Sequence, residues 1–381
     1  MTALTTRFAT LALVPLAASG LLAGPLGTGS PAVVGHLAYL TNGDSTGQNN
    51  QVELVTVYAD GTTSAAQQIG PVGTAAGWSV RIFPDSLVAS TDGERLAWSE
   101  ELTKGTGAAL RLRSILVMRD ETTGTTTQLR TVEQPVGFAG HRLVVASGGP
   151  AHELATTPSA HLVRLHVGAF PLTTYAHGVV SAPAKFDQAG THHTDTLQLR
   201  SFGGHRTVLH IYHLGPANYR DVDAGWLSAD GNHLVVERGN HQDFGGLGPS
   251  SLADEFGPAG ADDRRTLGHY GTAKAAWRIE SVGFVGSHDD VWAAWARQAR
   301  HTVHALVARF TGGHWRLVRD DAIALASRGS YVLVQPGRYV PNGSEGGLDY
   351  RTEATSPAVL LHGGSSVALD IAGIGFAWVS G

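Results

Sequence analysis

The stretch DAGWLSADGNHLVVERG, residues 223–239, sets two short apolar runs on either side of an Asp-Gly pair, and altered copies of it recur along the whole chain. The clearest are SLVASTDGERLAWSE (86–100), PVGFAGHRLVVASGG (135–149), SVGFVGSHDDVWAAWA (281–296) and AIALASRGSYVLVQPG (322–337). Each reads as a strand, a turn containing Gly, and a second strand rich in Leu, Val, Ala and Trp. A tight hairpin needs positive φ at a central residue, and Asp-Gly supplies it at little steric cost. The repeated phrase is therefore a β-hairpin.

Further strands follow the hairpins. LRSILVMRD (112–120), HLVRLHVGAF (161–170), RTVLHIYHL (206–214) and HTVHALVARF (301–310) read as third strands, and TTTQLRTV (125–132) and GHWRLVRD (313–320) as more polar fourth strands. Four antiparallel strands grading from apolar to polar describe a propeller blade. Taking Leu87, Gly137, Val179, Gly225, Gly283, Ile323 and Gly375 as first-strand markers gives intervals of 40 to 58 residues, close to the ~40–45 of known blades with insertions in their loops. The C-terminal GIGFAWVSG (373–381) matches a first strand. GHLAYLTNGD (35–44), VELVTVYADG and the segment near SAAQQIG match the later strands of a blade. The expectation is an all-β, seven-bladed β-propeller closed by pairing of the C-terminal strand with N-terminal strands, which removes exposed edges.

STDGERLAWSE at Ser90–Glu100 and SADGNHLVVERG at Ser228–Gly239 resemble the Ser-Pro-Asp-Gly-x-x-Ile-Ala-Phe repeats of TolB-like, WD-repeat-like propellers. Thr or Ala stands where that family has Pro, and the WD dipeptide is missing. The resemblance implies the fold. Its members serve as interaction platforms, periplasmic adaptors or appendages to peptidases.

Composition narrows the function classes. The chain is 42% apolar and 15% charged, enough apolar character to bury a large core. A net charge of −5 without a basic run argues against nucleic acid. With no cysteine, disulfides, thiolate metal sites and Cys nucleophiles are excluded. MTALTTRFATLALVPLAASGLLAG, with Arg7 ahead of an apolar run interrupted by Pro15, reads as a secretory signal, or alternatively an uncleaved anchor, over residues 1–32. Residues 33–381 are then one propeller domain, secreted or held at the cell envelope, and expected to be monomeric.

Strand parity places the second-to-third loops and the blade connections on one face. There the sequence offers NGDSTGQNNQ, SEELTKGTGAA, SGGPAHELATTPSA, the long segment 238–271 and the segment 336–357. Loops on rigid scaffolds carry function disproportionately. The candidate binding residues on this face are Tyr219, Asp221, Asp223, His241, Asp243, Phe244, Asp262 and Asp263, and solvated acidic loops are the bland alternative. The paired histidines His192/His193, His210/His213 and His301/His304 have spacings that send side chains to opposite faces of a strand, so no metal and no cofactor is assigned. Gly-x-Ser-x-Gly, phosphate-loop and dinucleotide motifs are absent. The reading is a non-enzymatic propeller whose loop-rich face binds a protein, peptide or cell-envelope glycan. The alternative is a carbohydrate-active hydrolase or lyase that uses carboxylates near the channel mouth. Carboxylates gathered in one pocket would favour the enzyme; scattered, solvated ones would favour binding.

Overall fold

The hairpin phrase folds as its chemistry dictates. In the computed structural model Ser228 Oγ donates to Asp230 Oδ1 (2.5 Å), the Gly231 amide donates to the Ser228 carbonyl (2.9 Å), and the His233 amide donates to Ser228 Oγ (2.9 Å). Ser90, Asp92, Gly93 and Arg95 repeat the arrangement, with 2.5, 2.8 and 2.9 Å for the same three bonds. Gly93 (φ +72°) and Gly231 (φ +74°) hold the left-handed position of each turn. The phrase builds scaffold.

The structure describes residues 31–44, 47–73, 76–147, 150–156, 159–169, 171–186, 193–214, 221–239, 250–257, 260–286, 290–299, 302–341 and 350–380. It is all-β, with two short 3-10 turns at Pro84–Ser86 and Gly107–Ala109 as the helical elements among them. The described strands assort into seven antiparallel sheets. Their innermost strands are Ser79–Ile82 with Val88–Ala89, then Gln134–Ala139, Pro171–Tyr175, Asp221–Leu227, Arg278–Val285, Ala322–Arg328 and Gly375–Val379. Val88–Ala89 touches Gln134–Ala139, each inner strand touches the next, and Gly375–Val379 touches Val88–Ala89 again. Gly375–Val379 also pairs with Val33–Leu40, placing Trp378 opposite Leu37 and Phe376 opposite Tyr39. The core lies between sheets: Trp98, Trp295, Phe256, Leu37 and Leu333 are fully buried on strands of five different sheets.

Some strand assignments are corrected. Val179 lies on Gly178–Ser181, a second strand; Pro171–Tyr175 is the inner one. His161–Ala169 and Arg206–Leu214 form outermost rather than third strands. The segment 238–271 is not one long loop, because it contains the third and fourth strands Leu252–Gly257 and Gly260–Gly268. Buried polar residues misled the reading there. Asp254 is fully buried, held by Tyr212 (3.0 Å), Arg238 (2.8 Å), Arg264 (3.1 Å) and Thr266 (3.1 Å), so a strand in the interior carries the polar pattern of a loop. The signal or anchor expected over residues 1–32 falls almost wholly outside the described residues. Among those described, no helix is long and apolar enough to cross a membrane.

Candidate functional site

Five inner strands carry a β-bulge near their start. In the register with the neighbouring second strand, Val136, Leu172, Asp223, Glu280 and Ile323 are each skipped. A bulge adds one residue without a partner and re-aims its side chain, a device common beside active sites. Three of the bulged residues are apolar. The other two, on adjacent sheets, are carboxylates.

A cavity of about 1460 Å³ is lined by inner-strand residues of all seven sheets, among them Val88, Gly137, Thr173, Ala224, Val282, Leu325 and Phe376. Val136, Leu172, Glu280 and Ile323 line it directly, and Asp223 adjoins its lining residue Ala224. Residues of first-to-second turns, such as Asp92 and Asp230, stand at one end. Asp85, Glu280, Tyr339 and Glu353 belong to the other, where second-to-third loops and sheet connections converge. Water reaches the Glu280 side chain although protein surrounds it, as expected of a group lining this cavity.

That setting governs its charge. Loss of water around Glu280 pushes its pKa up to about 7, the Glu237 carboxylate adds to the rise, Arg278 opposes it, and Asp85 contributes a further increment. Glu237 is itself raised by burial, against hydrogen bonds from Ser251 and from the Ile279 amide (3.1 Å). Asp223 is pushed up to about 8, by burial first and by Glu237 and Asp221 next. Burial followed by the charge of Glu280 holds the Tyr339 phenol well above its ordinary value. Asp85 is raised by burial. Carboxylates, a tyrosine and an arginine thus share one electrostatic environment, with Glu280 poised between protonated and ionised forms near neutrality.

The residues proposed from sequence divide. Asp221 and Asp223 fall at the start of an inner strand beside this environment. Gly239 lies close against Asp223: a Cβ there would lie 2.3 Å from Asp223 Oδ2, so the carboxylate would have to move. Asp262 and Asp263 sit exposed on the outermost strand Gly260–Gly268, next to a third-to-fourth turn, and so belong to the other end of their sheet. Tyr219, His241, Asp243 and Phe244 lie outside the described residues. Sequence reading missed Glu280, Glu237 and Tyr339. Lining up the phrases on their glycines conceals the bulge, because Gly137, Gly225 and Gly283 stand one, two and three residues after the bulged position.

No family model matches the chain, and no curated protein matches it. Solved structures do resemble it. The β-propeller domain of the trilobed protease from Pyrococcus furiosus is 7% identical, with a TM-score of 0.31, over 76% of this chain and 70% of that one. A prolyl endopeptidase is 13% identical, with a TM-score of 0.44, over 89% of this chain and 49% of that one, so the match spans about half of the peptidase. An oligogalacturonate lyase in complex with manganese is 11% identical, with a TM-score of 0.39, over 89% of this chain and 85% of that one. The likeness is one of propeller-like fold.

The expectation of a non-enzymatic binding protein is corrected here. Among the similar structures are ones named as a prolyl endopeptidase, an acylaminoacyl peptidase, a puromycin-hydrolyzing peptidase and an oligogalacturonate lyase. The carboxylates at the mouth, moreover, are gathered instead of scattered, because bulges fall at Asp223 and Glu280 on adjacent strands and both feel the charge of Glu237.

Proposed function

We propose that the chain is a seven-bladed propeller closed by its C-terminal strand, and that it cleaves a carbohydrate by acid–base chemistry at the channel mouth, with Glu280 as the proton-transferring group. The unbroken circuit of inner-strand contacts and the pairing of Phe376 with Tyr39 support the architecture. The observation that carries the activity is Glu280 itself: a bulged carboxylate inside a cavity, coupled to Glu237, Arg278 and Asp85, with its pKa near 7. A group of that pKa can both take and return a proton at neutral pH, a contribution of about 10²–10⁴ in rate. Arg278, whose charge opposes the rise at Asp223, Glu237 and Glu280, is the cation of this group. Trp226, Tyr339 and Tyr350 give the cavity flat amphipathic rings, and Phe284 an apolar one, suited to stacking against sugar faces. The TolB-like and WD-repeat-like resemblance of the hairpin phrases fits the same scaffold.

An envelope glycan is the substrate class that accords with the proposed export of a monomeric single domain, residues 33–381, behind a signal or anchor in residues 1–32. The test is incubation of the secreted protein with cell-wall polysaccharides and polyuronates, with products read by mass spectrometry. A saturated new end marks hydrolysis, and an unsaturated one marks elimination. Glu280→Gln is expected to lower turnover by about 100-fold or more. Undiminished turnover by Glu280→Gln, or no product from any glycan, refutes the proposal.

A further inference from the structure

Outside the channel, the start of the strand His193–Ser201 meets the start of the next sheet's inner strand, Asp221–Leu227. His193 and Asp195, two residues apart, share one face of their strand and are 3% and 2% exposed. His193 Nε2 lies 2.6 Å from Asp221 Oδ1 and 3.6 Å from Asp195 Oδ1. Asp195 Oδ2 accepts the Val222 amide at 2.9 Å, which holds the incoming strand against this one. Asp195 Oδ1 is buried and accepts no hydrogen bond.

One proton cannot satisfy this arrangement. An Nε2–H bonded to Asp221 leaves the buried Asp195 Oδ1, 3.6 Å from the same nitrogen, without a hydrogen bond, which is a costly state. A single dication between the three atoms would reach all of them at once. Two carboxylates and a neutral imidazole carry a charge of −2, which a dication neutralises. Metal–ligand bonds of about 2.0–2.2 Å set neighbouring ligand atoms roughly 3–3.5 Å apart. The 2.6 and 3.6 Å separations straddle that range, and all three ligand atoms lie within 4.8 Å of one another. The mixed nitrogen and oxygen donors suit Zn²⁺ or another first-row dication better than Ca²⁺, which prefers more numerous oxygens. Asp221 is about one-third exposed and gives the ion a way in and room for water as a further ligand.

We propose that His193 Nε2, Asp195 Oδ1 and Asp221 Oδ1 bind a divalent first-row cation that staples the sheet of His193–Ser201 to the sheet of Asp221–Leu227. None of the three ligands is among the groups that set the charge of Glu280, so metal binding and the proposed activity are read out by different measurements.

The experiment is calorimetric titration of chelator-treated full-length protein with Zn²⁺, alongside thermal unfolding with and without the ion. One tight site and a raised Tm are expected. Asp195→Asn should weaken that site by about 100-fold or more, since even partners beyond the ligands are worth 10–100-fold. Because Asp195 is buried, Asp221→Asn at the exposed edge supplies the second variant. It should weaken binding while leaving the Tm of the metal-free protein within a few degrees. Ca²⁺ should bind more weakly than Zn²⁺. Absence of a stoichiometric site, or Zn²⁺ affinity unchanged in both variants, overturns the proposal and leaves the cluster as an internal ion pair.

Discussion

Phe376 stands opposite Tyr39 in the register between the last strand and the first described one, their rings 6.5 Å apart and inclined by 26°. Around this pair Leu37, Val379 and Ala377 are buried, so the two ends of the described chain complete one sheet and bury apolar surface in doing so. The turn of the neighbouring sheet locks onto the same strand. The Ser380 amide donates to the Gly93 carbonyl at 2.8 Å.

That contact separates two otherwise equivalent glycines. Gly93 and Gly231 occupy the same position of the same turn, but a Cβ on Gly93 would lie 2.1 Å from the Ser380 nitrogen, whereas one on Gly231 meets nothing within 4 Å. Gly231→Ala should cost about 1–2 kcal/mol, the price of a left-handed non-glycine residue. Gly93→Ala should cost at least about 1 kcal/mol more, because the backbone at Val379 and Ser380 must shift. Denaturant unfolding of both variants measures the difference, and equal losses would contradict closure through Ser380.

Glu100 gives a second prediction. It is fully buried, and its carboxylate accepts the amides of Val72 and Gly73 (both 2.8 Å) and Trp98 Nε1 (2.9 Å). Glu100→Ala removes the acceptor for three donors at once. With each unpartnered buried donor costing about 1–3 kcal/mol, the loss should be about 3 kcal/mol or more, seen as a fall in Tm. Glu100→Gln keeps one acceptor oxygen and should fall between alanine and wild type.

Glu280 links stability to pH. Its pKa in the folded protein is about 7, above the ordinary 4.5, so between those values the folded state binds more protons than the unfolded one. The stability that this group contributes is complete below pH 4.5, declines as pH rises, and is lost above 7. Glu237 and Arg278, with Asp85 and Tyr339 from the facing elements, set the shift. Glu280→Gln cannot ionise, so its Tm relative to wild type should rise from pH 5 to about pH 7 and level off above it. A constant difference across that range would show that Glu280 titrates normally.

Local chemistry made much of this molecule readable in advance. Ser90-Thr91-Asp92-Gly93 and Ser228-Ala229-Asp230-Gly231 fix their turns through bonds within a few residues, and apolar runs on either side specify strands wherever they occur. Hairpins, the all-β class and the match between the chain's two ends are therefore properties of short segments. Asp254 shows where that reading stops. Its polarity suggests a loop, and only partners from three other strands make it an interior residue.

The site belongs wholly to the second category. Glu280 and Asp223 acquire their direction from bulges, which depend on how one strand registers against its neighbour. They acquire their charge state from Glu237, Arg278 and the surrounding walls. His193 meets Asp221 only because two sheets abut. The sequence determined which segments become strands and turns, since those preferences are settled by neighbours along the chain. Tertiary structure decided which carboxylates share a cavity, because desolvation and Coulomb interactions act through space and are indifferent to sequence distance.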